Sequence, residues 1–167
     1  MVTFVIGGAR SGKSSFALKE GSALAGKKAY VATAEALDAE MKARIEKHRE
    51  ERSEEWITFE EPLNIARLIE DIHEKHDVII IDCLTVWLSN LMMNDKNVEK
   101  EIGSFCSALY SQRSTLFIVS NELGMGIVPD NELARRFRDI AGAMNQKIAG
   151  LADEVYLVTA GIPIKIK

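Results

Sequence analysis

The chain has 167 residues, of which 47% are apolar and 28% charged, and its net charge at pH 7 is −4. That length suits a single domain over 1–167 with a full-sized core, and the apolar content excludes a disordered chain. The acidic balance argues against a general nucleic-acid partner, no apolar run is long enough for a membrane span, and no signal peptide precedes the first apolar run.

Val2–Ile6 reads as a buried strand. It leads into Gly7-Gly8-Ala9-Arg10-Ser11-Gly12-Lys13-Ser14. This stretch fits G-x-x-x-x-G-K-[ST] at every fixed position, and a helical pattern begins near Gly12. Strand, glycine-rich loop and helix together form the context of a phosphate-binding loop. Glycines let backbone N–H groups curl around phosphate oxygens, and the helix N-terminus adds partial positive charge. In that pattern Lys13 reaches the β- and γ-phosphates and the Ser14 hydroxyl binds Mg²⁺. The motif therefore implies a nucleoside triphosphate and leaves the chemistry open.

Ala29–Thr33 is the second predicted strand. Leu37, Met41 and Ile45 then recur at helical spacing, and Arg44, His48 and Arg52 lie four apart beside that stripe. Two guanidinium groups one turn away disfavour an imidazolium and leave a neutral ring able to attack phosphorus. The same arginines suit triphosphate oxygens. Spacing alone favours a plainer reading, in which this is a solvated, charged helix face.

Leu63, Ala66, Ile69 and Ile72 form the next stripe, and His73 and His76 fall at its end, where histidine complements the helix dipole. Val78–Ile81 is an apolar strand that runs into Asp82. A carboxylate at that position in a phosphate-loop fold holds Mg²⁺ or its water. Thr85 and Asn90, near the same end, are either substrate contacts or helix-capping residues. Further helices are marked by Trp87, Leu88, Leu91 and Met92, by Val98, Ile102, Phe105 and Leu109, and by Leu133, Phe137, Ile140, Met144 and Ile148. Leu116–Val119 and Val155–Thr159 are strands, and Ile164–Ile166 is a final edge strand behind a turn at Gly161 and Pro163. The alternation predicts an α/β fold with a mostly parallel sheet flanked by helices and a C-terminal edge hairpin. Cys83 and Cys106 suggest neither a disulfide framework nor a metal site by spacing, and the expected compartment is the reducing cytoplasm.

Several stretches together resemble one family. They are the phosphate loop, Tyr30-Val31-Ala32-Thr33-Ala34, Asp38-Ala39-Glu40-Met41 with Arg44, Ile45 and His48, Trp56, and Glu60-Glu61-Pro62. Asn121-Glu122-Leu123-Gly124-Met125-Gly126-Ile127-Val128-Pro129 and Leu133–Gly142 complete the set. The whole resembles the bifunctional adenosylcobinamide kinase/adenosylcobinamide-phosphate guanylyltransferases of cobalamin biosynthesis, from Val2 to Lys167. The Asn121–Pro129 stretch is the most specific, and Leu91–Ser114 looks short for the family.

The resemblance implies a phosphate-loop NTPase of the recombination-ATPase type and a homotrimer. It implies two reactions. ATP or GTP phosphorylates the aminopropanol hydroxyl of adenosylcobinamide. GMP then passes from GTP through a guanylylated histidine, here His48, to the cobinamide phosphate. Nucleotide contacts carry over to Gly7, Gly8, Ala9, Arg10, Ser11, Gly12, Lys13 and Ser14, to Ala32, Thr33 and Ala34, to Arg49, Glu50, Glu51 and Arg52, and to Glu60 and Asp82. Ser14 and Asp82 would hold Mg²⁺. Some relatives have Glu in place of Asp82, and some have a second histidine where this chain has Lys47. The Asn121–Pro129 loop is expected to contact substrate or form a subunit seam. Two rival readings are a simple small-molecule kinase with an idle His48 and a GTP-binding switch. Neither would leave a covalent adduct from the α-phosphate of GTP.

Overall fold

Residues 1–35, 46, 49 and 52–167 are described by a computed structural model. Among them, strands and helices alternate along most of the chain. β1 (Val2–Gly7) leads into α1 (Lys13–Ser22), and β2 (Lys28–Ala32) follows. β3 (Trp56–Glu60), α2 (Ile65–Ile72) and β4 (Val78–Asp82) come next. α3 (Leu84–Met93) and α4 (Val98–Ser111) precede β5 (Thr115–Asn121). α5 (Glu132–Leu151), β6 (Glu154–Thr159) and β7 (Ile162–Lys165) end the series. No helix among the described residues is long and apolar enough to cross a membrane.

The strands form one sheet in the order β3-β2-β4-β5-β1-β6-β7. Every pairing is parallel except β6 with β7. Strand residues alternate between the two faces, and the core divides accordingly. Ala29, Val31, Ile79, Ile81, Leu116 and Ile118 join the larger cluster, which Ile65, Ile69, Leu88, Phe105 and Met144 complete from α2 to α5. Tyr30, Ala32, Val78, Ile80, Phe117 and Val119 join the smaller one with Ala17 of α1 and Trp56. Parallel register matters most for function. It pairs Gly7 with Asn121, Asp82 with Val119, Ala32 with Asp82, and Ala32 with Glu60. The carboxyl ends of β1, β5, β4, β2 and β3 thus meet along one edge, where ligands of open α/β sheets bind.

Two features differ from the sequence expectation. β3 was not anticipated. It is a short edge strand in which only Trp56 is fully buried, so no alternation of apolar and polar residues marks it. Pro163 lies within β7, opposite Val158, rather than in the turn before it. An edge strand tolerates a residue that donates no hydrogen bond, and the turn is made by Ala160 and Gly161, both with positive φ.

Candidate nucleotide site

β1 delivers the glycine-rich loop to the sheet edge, and the loop's shape comes from a few backbone demands. Arg10 and Gly12 have φ of 56° and 99°. Gly7 cannot be replaced cheaply, because a Cβ there would lie 2.2 Å from the Val158 carbonyl oxygen on β6. The loop is braced from behind as well. The Gly161 N–H donates to the Ser11 carbonyl at 2.9 Å, and the Gly161 Cα occupies the space beside Gly12. The sequence did not reveal this role for Gly161. Gly8, Ala9 and Arg10 are exposed at the rim, while Ser11, Gly12 and Ser14 are half-buried.

Lys13 opens α1 and is buried. Its Nζ donates to the Gly8 carbonyl at 2.5 Å and to Ser11 Oγ at 3.4 Å, so the ammonium curls back into the loop. Burial lowers its pKa, and Cys83 and Asp82 oppose that shift. Through these effects the loop and the end of β4 act on one ammonium across the intervening β5.

At the end of β4 the Asp82 carboxylate accepts a hydrogen bond from the Tyr30 hydroxyl, Oη to Oδ2, at 2.6 Å. Tyr30 is 2% exposed. Burial first and the Asp82 charge second hold its phenol well above the ordinary value. The Arg52 guanidinium stacks over the Tyr30 ring at 3.9 Å and donates to Thr58 Oγ1 at 3.0 Å. Arg52 lies in a bend after the helical Arg49, not on a continuing helix face as the four-residue spacing suggested. Its partners on β2 and β3 draw it toward the sheet. Arg49 pairs with Glu60 at 3.3 Å, both more than half exposed.

Thr33 is fully buried behind the site. Its hydroxyl donates to the Cys83 carbonyl and accepts from the Cys83 N–H, each at 2.9 Å. Ala32 is buried and Ala34 half-buried beside it. Asn90 donates to the Thr33 carbonyl at 2.7 Å and the Pro62 carbonyl at 3.1 Å. Thr85 Oγ1 accepts from the Asn121 N–H and lies 3.2 Å from Ser120 Oγ. These two residues therefore tie loops together inside the protein, and the cap of α3 is Cys83. Burial and the neighbouring Asp82 charge push the Cys83 thiol up to about 12, so it is no thiolate nucleophile at neutral pH.

The donor set suits Mg²⁺. Asp82 Oδ2 is taken by Tyr30, whereas Oδ1 has no hydrogen-bond partner among the described residues. With the Ser14 hydroxyl at the head of α1, this gives hard oxygen ligands of the kind Mg²⁺ takes alongside substrate phosphates. His48, Arg44, Glu50, Glu51 and the Leu37–Met41–Ile45 stripe lie outside the described residues.

The family model "Cobinamide kinase / cobinamide phosphate guanyltransferase" matches residues 3–166. The chain belongs to that family. It is 41% identical to the "Bifunctional adenosylcobalamin biosynthesis protein CobU" of Escherichia coli (strain K12), over the whole of both chains. It is 38% identical to the "Bifunctional adenosylcobalamin biosynthesis protein CobP" of Pseudomonas aeruginosa, covering 100% of this chain and 98% of that one. Among solved structures, the flagellar accessory protein FlaH from Methanocaldococcus jannaschii has a TM-score of 0.56 at 13% identity, covering 99% of this chain and 77% of that one. The RadB recombinase has a TM-score of 0.55 at 17% identity, covering 93% and 73%. Those two likenesses concern the fold alone, and they bear out the recombination-ATPase-like α/β fold expected for the family.

Proposed function

We propose that this chain, as one domain over 1–167, phosphorylates adenosylcobinamide with ATP or GTP and then transfers GMP from GTP to the product. The observation that carries this reading is the match of residues 3–166 to a family model described by both activities, together with full-length relatives named bifunctional. The phosphate loop with Asp82 supports it from the structural side.

In the first reaction the aminopropanol hydroxyl oxygen attacks the γ-phosphorus. A P–O bond forms, the bond to the β-phosphate oxygen breaks, and the hydroxyl proton leaves to solvent. Backbone N–H groups of Gly8 to Lys13 wrap the phosphates, and Lys13 turns its Nζ from the Gly8 carbonyl to the β- and γ-oxygens. Ser14 and Asp82 would hold Mg²⁺, which when bound would offset the negative charge of the phosphates. In the second reaction the His48 imidazole attacks the α-phosphorus. An N–P bond forms and pyrophosphate departs. An oxygen of the cobinamide phosphate then displaces the histidine, giving adenosylcobinamide-GDP. Ala32, Ala34, Arg49, Glu50, Glu51, Arg52 and Glu60 would seat the nucleotide for that step, while the fully buried Thr33, bonded to Cys83, Asn90 and Asp82, would hold the strand end behind them.

The same reading makes the chain a cytoplasmic homotrimer. Met125, Ile127, Val128 and Leu133 support a subunit seam, since all four are large, apolar and exposed on one loop and the helix start after it.

The test is GTP labelled at the α-phosphate. An acid-labile, base-stable adduct should form, disappear in His48→Ala, and discharge into a cobinamide product on addition of adenosylcobinamide phosphate. GTP labelled at the γ-phosphate should leave no adduct. Label that persists in His48→Ala would sink the histidine step. A competent protein that takes no α-label would favour a simple kinase.

A further inference from the structure

Asp82 does not stand alone at the end of β4. It is one member of a chain of contacts that runs from β3 through β2 to the loop side of the sheet. Thr58 on β3 accepts from Arg52, the Arg52 guanidinium lies on the Tyr30 ring, and the Tyr30 hydroxyl donates to Asp82 Oδ2. Tyr30 is in the middle of β2, with its ring wedged edge-on against Trp56 at a centroid distance of 6.4 Å. Trp56 is itself buried and donates from Nε1 to Ser22 Oγ at 3.1 Å. The phenol therefore has little room to swing. It meets a carboxylate that would otherwise rotate freely at a strand end.

We propose that Tyr30 is a positioning residue for the metal site: by taking Asp82 Oδ2 it fixes the carboxylate plane so that Oδ1 faces the Mg²⁺ brought in with the triphosphate. The inference rests on the reading that Asp82 serves Mg²⁺. A strand-end aspartate with both oxygens in water samples many rotamers, and a ligand loses affinity in proportion to the time it spends misdirected. A short hydrogen bond from a buried hydroxyl removes that freedom before the metal arrives. Tyr30 also carries Arg52 on its ring, so the residue that aims Asp82 is the one on which a nucleotide-seating arginine rests. The metal side and the arginine side of the site are registered by one aromatic ring.

The test measures equilibrium binding of a fluorescent GTP analogue to the full chain, in EDTA and across a Mg²⁺ titration. Tyr30→Phe keeps the ring, the stacked Arg52 and the contact with Trp56, and removes only the hydroxyl. Its affinity in EDTA should stay within about twofold of the parent, and its Mg²⁺ half-saturation should rise by roughly tenfold, as befits loss of a charge-assisted hydrogen bond. Asp82→Asn should lose the Mg²⁺ enhancement altogether. Loss in Asp82→Asn with an unchanged Mg²⁺ titration in Tyr30→Phe would overturn the role of Tyr30 alone. Retention of the enhancement in Asp82→Asn would overturn the metal reading and with it this inference. An equal weakening of Tyr30→Phe in EDTA and in Mg²⁺ would make the hydroxyl merely structural and also refute the proposal.

Discussion

Replacing Gly7 with alanine should unsettle the fold itself, before any nucleotide is present. A Cβ at this position would sit 2.2 Å from the Val158 carbonyl oxygen and 2.9 Å from Ser11 Oγ. Ordinary carbon–oxygen contacts are about 3.3 Å or more, so β1 and β6 would have to part by roughly 1 Å. The neighbouring pair, Ile6 with Leu157, belongs to the β1–β6 ladder and would be pulled apart with them. Overpacking of this kind costs about 1–3 kcal/mol. The backbone adds to it, since φ is 154° at Gly7 and a side chain there costs about 1–3 kcal/mol more. We expect a loss of about 4 kcal/mol by urea unfolding of the nucleotide-free protein, and a melting temperature lower by roughly 8–16 °C. Gly8 is the control. A Cβ there meets nothing within 4 Å, and its φ is not positive. Gly8→Ala should therefore stay within about 0.5 kcal/mol of the parent. Equal stability of Gly7→Ala and Gly8→Ala would refute the reasoning, because the steric argument separates two adjacent glycines of one motif.

Three further outcomes are expected. Lys13→Ala should lower GTP affinity about 10- to 100-fold. Because burial already opposes the Lys13 charge, the variant should lose no stability without nucleotide, but its melting temperature should no longer rise when GTP is added. A parental rise in that variant would contradict the placement of Lys13 on the phosphates. Asn90→Ala strips the Thr33 and Pro62 carbonyls of their donor at a site only 4% exposed. Denaturant unfolding should show a loss of about 2–4 kcal/mol, and a change under about 0.5 kcal/mol would show that Asn90 is no internal tie. Ile127 is 97% exposed in the single chain, so Ile127→Asp should leave the unfolding of that chain unchanged. Light scattering should instead report a trimer for the parent and a monomer for the variant, and a monomeric parent would remove the seam.

Much of this architecture could be read from the sequence because its signals are local. The phosphate loop is eight contiguous residues, so its pattern is legible in the sequence even though the close contacts at Gly7 and Gly12 are made by Val158 and Gly161 far along the chain. The buried strands announce themselves as apolar runs because helices cover both faces of the sheet. What could not be read depends on partners far apart in the chain. Tyr30 falls inside a predicted strand, and only the register of β2 with β4 brings its hydroxyl to Asp82. Thr85 and Asn90 carry polar side chains near a ligand edge. Their hydrogen bonds go to Asn121, Thr33 and Pro62, which no spacing rule connects. Arg52 matched a helical spacing, yet it lies in a bend and its side chain follows Tyr30 and Thr58 instead. β3 escaped because it is a short edge strand whose two packed residues, Trp56 and Phe59, fall on opposite faces of the sheet, so no alternation marks it.

The brace on the phosphate loop has a consequence for how the site comes into being. β1 is flanked by β5 and β6, both from the last third of the chain, and the contact that backs Ser11 comes from the turn at Gly161. During synthesis the motif leaves the ribosome early, while the strands on either side of it and the residue that props it emerge last. A nascent chain thus displays the nucleotide-binding signature long before it can bind a nucleotide. A polypeptide that ends between Ser14 and β5 would carry the whole motif without either of the strands that flank β1 or the turn that props Ser11.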